Sequence, residues 1–323
     1  MVYQKEKEVS LEAVKKAAVL CQTVQAKINK VGKVDKSDAS PVTIADFGTQ
    51  ALISQSLFEA FPDTPLVGEE DASDLRDNSD LCDAMMREIH AVDSKLSREV
   101  ALDAIDRGVY EGGSIGRHWV LDPIDGTKGF LRGDQYAIAL GLIEDGEVVM
   151  GILGCPNLPN ASDSKGAIFV ASKGQGVEMF SLDGVSKGRV SVSNVLSVSE
   201  ANFCESVEKA HSSHSHSAQI ANKLGITTEP YRIDSQCKYA AVGRGDAAIY
   251  LRLPTRPGYV EKIWDHAAGV AVITEAGGRV TDIYGNKLDF SLGRTLVKNK
   301  GVIVSNGQFH EQILVAVREV LGL

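Results

Sequence analysis

A layered α/β fold is predicted by three features of the sequence. Helical and extended segments alternate through the C-terminal half, two consecutive hairpin patterns occupy the middle, and 323 residues exceed what a single core normally holds. That length predicts two domains, or one large layered unit with two sheets. The most linker-like stretch, 155–162, sets the boundary, giving an N-terminal α+β domain over 1–158 and a C-terminal α/β domain over 159–323.

Each element follows from local patterning. Leu11, Val14, Ala17, Ala18, Cys21, Val24 and Ile28 recur at helical spacing, so an amphipathic helix is expected over 11–28 with Ser10 as N-cap. Asp46 opens a second helix that runs through Phe58. Pro62 and Pro65 then break the chain, and a short strand delivers Glu69 and Glu70. The charged segment 71–116 reads as mostly helical. Strands 136–143 and 148–153 flank Glu144-Asp145-Gly146-Glu147 as an antiparallel hairpin, and strands 167–171 and 176–180 form another. Further on, strands are expected over 202–206, 247–253, 279–283 and 302–305. Helices are expected over 218–224, 236–242, 265–276 and 311–321, the third of these capped by Gly277-Gly278.

Charge and cysteine usage narrow the function. With 43 acidic against 34 basic residues the formal net charge is −9, and there is no basic run that would track a polynucleotide backbone. A small phosphorylated substrate stays compatible with this charge, because bound divalent cations reverse the local field. The five cysteines are scattered without a C-x-x-C pair, which argues against a zinc site or a disulfide framework. There is no membrane-spanning apolar run, and residues 1–10 are charged rather than signal-like, so a soluble, cytoplasmic protein is expected, most simply a monomer.

The densest chemistry lies in Trp119-Val120-Leu121-Asp122-Pro123-Ile124-Asp125-Gly126-Thr127. Two carboxylates three residues apart around a proline-forced extended turn can converge on one hard cation, with the Ile124 carbonyl between them as a third oxygen. Gly126 and Thr127 supply backbone N–H groups at the start of a helix, where an anion is favoured. By themselves D-P and D-G are turn dipeptides of any protein. Their company is what points to chemistry: Pro41-Val42-Thr43-Ile44-Ala45-Asp46, Val67-Gly68-Glu69-Glu70 and Ile263-Trp264-Asp265-His266-Ala267-Ala268-Gly269 each set an acid at the edge of an apolar segment. Asp46 or Asp265 alone would fit an ordinary helix-terminal acid.

At these residues the chain resembles the lithium-sensitive, magnesium-dependent phosphomonoesterases of the inositol monophosphatase superfamily, and within it the 3'(2'),5'-bisphosphate nucleotidases. The resemblance implies an αβαβα sugar-phosphatase-like architecture with two sheets. It also implies hydrolysis of the 3'-phosphate of adenosine 3',5'-bisphosphate (PAP) to AMP, with its 5'-phosphosulfate analogue (PAPS) a further candidate substrate. It makes Glu69, Asp122, the Ile124 carbonyl, Asp125 and Asp265 the Mg²⁺ ligands, and Asp46 with Thr127 the pair that orients and deprotonates the attacking water. Five such acids left bare would be strained, since two carboxylates about 4 Å apart repel by roughly 4 kcal/mol at an effective dielectric near 20. Oxygen ligands without histidine or thiolate favour Mg²⁺ over Zn²⁺.

Three further segments carry the narrower likeness: Glu208-Lys209-Ala210-His211-Ser212-Ser213-His214, Asp234-Ser235-Gln236-Cys237-Lys238-Tyr239 and Tyr250-Leu251-Arg252-Leu253-Pro254. By resemblance His211, Ser235, Lys238 and Arg252 join Gly126 and Thr127 in holding the substrate. Alone, the histidine–serine run would read as a solvated loop, Lys238 as a surface charge and Arg252 as a strand-end side chain. Two other readings remain open: the same chemistry on an inositol phosphate or sugar phosphate, and a phosphonucleotide sensor without turnover.

Overall fold

The structure, a computed structural model, describes residues 2–31, 40–160, 165–207, 214–254, 256 and 258–323. Two long helices come first, α1 (Gln4–Val31) and α2 (Pro41–Ala60). The first starts earlier than expected, and Ser10 lies buried in its second turn rather than capping it. Its opening turns carry charge instead of an apolar face: Glu6 meets Arg117 at 2.8 Å and Lys7 meets Glu178 at 2.6 Å. Asp46 likewise does not open α2. Pro41 does, in the first turn where a missing N–H costs nothing. Because α2 is buried on nearly every side, it shows no apolar stripe from which its start could be read.

The middle of the chain builds one sheet in sequence order. Its elements are β1 (Leu66–Gly68), the small helices α3 (Ser73–Asp77), α4 (Ser79–Val92) and α5 (Arg98–Asp106), β2 (Arg117–Asp125), α6 (Thr127–Arg132), and strands β3 (Ala137–Glu144), β4 (Glu147–Pro159), β5 (Lys165–Ser172), β6 (Gly176–Phe180) and β7 (Ser186–Val190). Strands β1 to β7 lie side by side, β1–β2 parallel and the rest antiparallel. Both expected hairpins form, β3–β4 through Asp145 and Gly146 with positive φ, as a two-residue turn of the right hand requires. The expected linker is not one. Residues 155–159 finish β4 and pair with β5, and a register shift between Cys155 and Pro159 accommodates the two prolines. The seven-stranded sheet thus continues past position 158.

A second sheet follows, built from β8 (Phe203–Glu205), α7 (His214–Lys223), β9 (Tyr231–Arg232), α8 (Cys237–Arg244), β10 (Ile249–Arg252), α9 (Ala267–Glu275), β11 (Arg279–Thr281), β12 (Val302–Ser305) and α10 (His310–Leu321). Its strand order is β11-β12-β10-β8-β9. Three apolar cores separate the layers. One lies between α1/α2 and the first sheet, one holds α8 and α9 between the two sheets, and one lies between the second sheet and α7/α10. The result is the expected five-layer αβαβα order. All five cysteines are free and buried, and no helix among the described residues is long and apolar enough to cross a membrane.

Helix α9, which follows Asp265, sits unusually close to the first sheet. A Cβ on Gly151 of β4 would lie 2.5 Å from the Ala268 carbonyl and 2.7 Å from the Ala271 Cβ. We therefore expect Gly151→Ala to cost about 1–3 kcal/mol by overpacking a backbone contact. Urea unfolding checks this, and an unchanged midpoint would show that α9 can yield.

Candidate metal and anion site

The acids meet because the ends of two neighbouring strands, β1 and β2, and the segment just before α9 come to one place. In the parallel pair β1–β2, Gly68 lies opposite Leu121, so Glu69, just past the end of β1, comes level with Asp122 in β2. Regular pleating would point Asp122 and Asp125 to opposite faces. Instead, the pairing of β2 with β3 shifts register between these two residues. That bulge accommodates Pro123 and brings both carboxylates to one side. Carboxylate oxygens of Asp122, Asp125 and Asp265 then lie within 4.8 Å of one another.

Their surroundings are pinned from behind. Gln50, one turn beyond Asp46 on α2, donates to the carbonyls of Glu70 (2.6 Å) and Ile105 (2.9 Å) and accepts from the Glu70 N–H (3.1 Å). Arg294 donates to the carbonyls of Gly68, Gly108 and Tyr110, and its guanidinium lies 4.9 Å from the Trp264 ring. The end of β1 and the 108–110 loop are therefore tied to the segment that carries Asp265.

Electrostatically the cluster is under stress. Burial, then Glu69, Asp125, Asp265 and Asp46, hold the Asp122 carboxyl well above the usual range, and its Oδ1 is buried without a partner. Burial and Asp265 raise Asp125, with Lys238, Arg252 and the Gln236 N–H opposing. Glu69 is pushed up to about 8 by burial first, then by Asp265, Glu70 and Asp125. Because Glu69 keeps much of its surface exposed, water screens part of that shift. Asp46 is raised by burial, then by Glu70 and Glu69. An orphaned buried oxygen amid carboxylates that resist ionising together is a donor set that fits a hard cation.

These acids, except Asp46, line a cavity of about 500 Å³ together with Ile124, Gly126, Thr127, Ser235, Lys238 and Arg252. Asp46, on α2, is not part of that lining; Glu70 and Glu69 raise its carboxyl, and it in turn raises that of Asp122. Thr127 is the first residue of α6, after Gly126 in the left-handed region (φ 93°). Gly126 is required twice over, since a Cβ there would come 2.7 Å from the Ser235 Cβ. A larger cleft of about 820 Å³, lined by residues of the β3–β4 turn, α9 and 285–291, contains none of these acids. His211 lies outside the described residues.

Two cations face the acids. Arg252 Nη2 is 2.8 Å from Glu261 and 3.1 Å from Asp265, and these acids keep its pKa above the ordinary value although burial opposes them. Lys238 is 4% exposed, its ammonium 3.5 Å from the Ile233 carbonyl and 5.3 Å from the Tyr250 ring. Burial lowers its pKa, opposed chiefly by Asp125. The sequence did not single out Glu261, four residues before Asp265. Burial works against its charge, yet bonds from His266 and Arg252 bring it down to about 2. Tyr259, Lys262 and Trp264 also line the cavity unforeseen.

The inositol monophosphatase family model matches residues 3–321. A 3'(2'),5'-bisphosphate nucleotidase of Emericella nidulans is 44% identical over the whole of both chains. The 3'(2'),5'-bisphosphate nucleotidase 1 of Arabidopsis thaliana is 49% identical over 100% of this chain and 98% of its own. Among solved structures, an inositol monophosphatase from Zymomonas mobilis superposes with a TM-score of 0.66 at 20% identity, covering 98% of this chain and 99% of that one, which speaks to the fold. The chain belongs to the inositol monophosphatase family and, at 44–49% identity to these two bisphosphate nucleotidases over full length, is a phosphatase of that kin.

Proposed function

We propose that the chain is a Mg²⁺-dependent 3'(2'),5'-bisphosphate nucleotidase that hydrolyses the 3'-phosphate of PAP to give AMP and phosphate, with PAPS as a second candidate substrate. The observation that carries the substrate reading is Lys238. Lys238, a residue 4% exposed whose ammonium has, among the described residues, only one long contact to a carbonyl and the Tyr250 ring, lines the cavity with Arg252, and a buried cation this poorly satisfied favours an anionic ligand. Relatives bearing the nucleotidase name support the same reading.

Glu69, Asp122, the Ile124 carbonyl, Asp125 and Asp265 would hold the cation. The chemistry supplied by bound Mg²⁺ is neutralisation of charge on the phosphoryl group and a lower pKa for the attacking water. Thr127, on the cavity wall, orients that water, and Asp46 takes up the proton. Water oxygen bonds to phosphorus as the bond to the nucleoside 3'-oxygen breaks, in line and without a phosphoenzyme, and the 3'-oxygen takes a proton from solvent to leave as the hydroxyl of AMP. Lys238 and Arg252 hold the second phosphate, Arg252 with a guanidinium already steadied by Glu261. Ser235 borders the same phosphate, and His211 contacts the nucleoside. We place the enzyme in the cytoplasm as a monomer, acting on a small nucleotide.

Phosphate release from PAP and inositol 1,4-bisphosphate, each with Mg²⁺, with chelator and with Mg²⁺ plus lithium, tests this. Metal-dependent, lithium-inhibited conversion of PAP to AMP is expected. Preference for the inositol phosphate would discard the roles of Lys238 and Arg252, and no release from either would leave a sensor. Lys238→Met should raise KM for PAP by about 10- to 100-fold, the loss of one charge-assisted hydrogen bond, with a smaller change for adenosine 3'-monophosphate. Equal effects on both substrates would remove Lys238 from the second phosphate.

A further inference from the structure

Asp125 and Asp265 approach within 4.8 Å although they stand on different elements, one ending β2 and the other preceding α9. A single residue joins the two. The Gln236 backbone N–H donates to Asp125 Oδ2 at 2.6 Å, its Nε2 donates to the Trp264 carbonyl at 2.9 Å, and its Oε1 accepts from the Gly269 N–H at 3.2 Å. The side-chain amide thus brackets Asp265, with one bond just before it and the other in the opening turn of α9. Gln236 is 2% exposed, and the residue before it, Ser235, is held at a φ of 64°, a backbone region that few residues other than glycine adopt.

We infer that Gln236 is a positioning residue: by bridging Asp125 to the backbone around Asp265 it sets the separation of these two carboxylates, and through it the affinity of the cluster for a divalent cation. This rests on the metal-centre reading above. Mg²⁺ demands near-ideal octahedral oxygens at about 2.0–2.1 Å, so a small change in the gap between two ligands on separate elements weakens binding. The chemistry of the position also selects glutamine. Its side chain must donate to a carbonyl and accept from an N–H at once, and it must add no charge beside a cluster already rich in carboxylates. Glutamate would set oxygen against the Trp264 carbonyl. Methionine matches glutamine in length but makes neither bond, while asparagine keeps the amide and falls a methylene short of reaching both partners.

Mn²⁺ binding to the full chain, followed by loss of the free-ion EPR signal, tests this with Gln236→Met and Gln236→Asn. Both variants should bind Mn²⁺ at least about tenfold more weakly than the wild type. The Mg²⁺ concentration for half-maximal phosphate release should rise in parallel, while KM for PAP at saturating metal stays near the wild-type value. A residue that only fills the core would lower thermal stability and leave the metal dependence where it was. A folded variant with native Mn²⁺ affinity overturns the inference, and so does failure of both variants to fold, which would make Gln236 a structural residue. A wild-type chain that binds no Mn²⁺ sinks the metal-centre reading instead.

Discussion

Asp122→Asn is expected to lower phosphate release by at least about 10²-fold while leaving the metal-free protein as stable as the wild type or more so. The loss follows from the position of the side chain. Asp122 is 2% exposed, shares its surroundings with Asp125 and Asp265 within 4.8 Å, and presents an Oδ1 that no protein group satisfies. Removing one preorganised charge of this kind costs about 10²–10³ in rate. The stability gain has the same origin. Ionised carboxylates at this separation repel by roughly 3 kcal/mol per pair at an effective dielectric near 20, and the folded chain relieves this only by holding protons. Asparagine keeps the shape, removes one charge and offers N–H donors to its acidic neighbours, so a gain of about 1 kcal/mol is expected. Turnover measured with Mg²⁺, set beside the thermal midpoint in chelator, checks both halves. Turnover above a tenth of the wild-type value would take Asp122 out of the metal site, and a large fall in stability would mean that its carboxylate holds the fold together.

The sequence made the acids legible, but not the geometry that gathers them. Asp122, Asp125 and Asp265 stand in apolar segments whose ends are easily seen, and so do the hairpin at Asp145-Gly146 and the helix at Thr127. Asp46 was misread as a helix-opening acid, because α2 is buried on most sides and carries no 3.6-residue stripe to locate its start. The 155–159 stretch has the composition of a linker, yet a strand tolerates its prolines where pairing shifts register. Strands β7 and β9 escaped notice for different reasons. The first is a mostly exposed polar edge, and the second is two residues long, paired in parallel with β8. Glu261 and Gln236 matter through hydrogen bonds to residues distant in sequence, and no local pattern encodes such bonds. The layered architecture was legible because it depends on alternation summed over many residues, which tolerates these local errors.

Metal-free protein should lose stability as pH rises from about 4 to about 8, and Mg²⁺ should restore it most fully at the alkaline end. Asp46, Asp122, Asp125 and Glu69 all have carboxyls raised by burial and by neighbouring carboxylates, Glu69 to about 8. A group whose folded pKa lies above its unfolded value binds more protons when folded, so its contribution is complete below the unfolded pKa and is lost as pH climbs through the folded one. The unfolded carboxylates titrate near 4, which sets the lower edge of the window, and Glu69, partly screened, marks the upper. Glu261 runs the other way. Held down to about 2, it contributes above its unfolded pKa and loses that contribution only as pH falls toward 2, outside the window. Cation and protons compete for the same oxygens, so Mg²⁺ affinity must weaken as pH is lowered. At one hundred times its dissociation constant at pH 8, Mg²⁺ should add about 2.7 kcal/mol, and the same concentration at pH 5 should add far less. Urea unfolding at pH 5, 6.5 and 8, in chelator and in Mg²⁺, reads both slopes. A Mg²⁺ effect equal at all three values, or greatest at pH 5, would mean that the raised carboxyls are not its ligands, and the acids that crowd this cavity would then need another reason to be together.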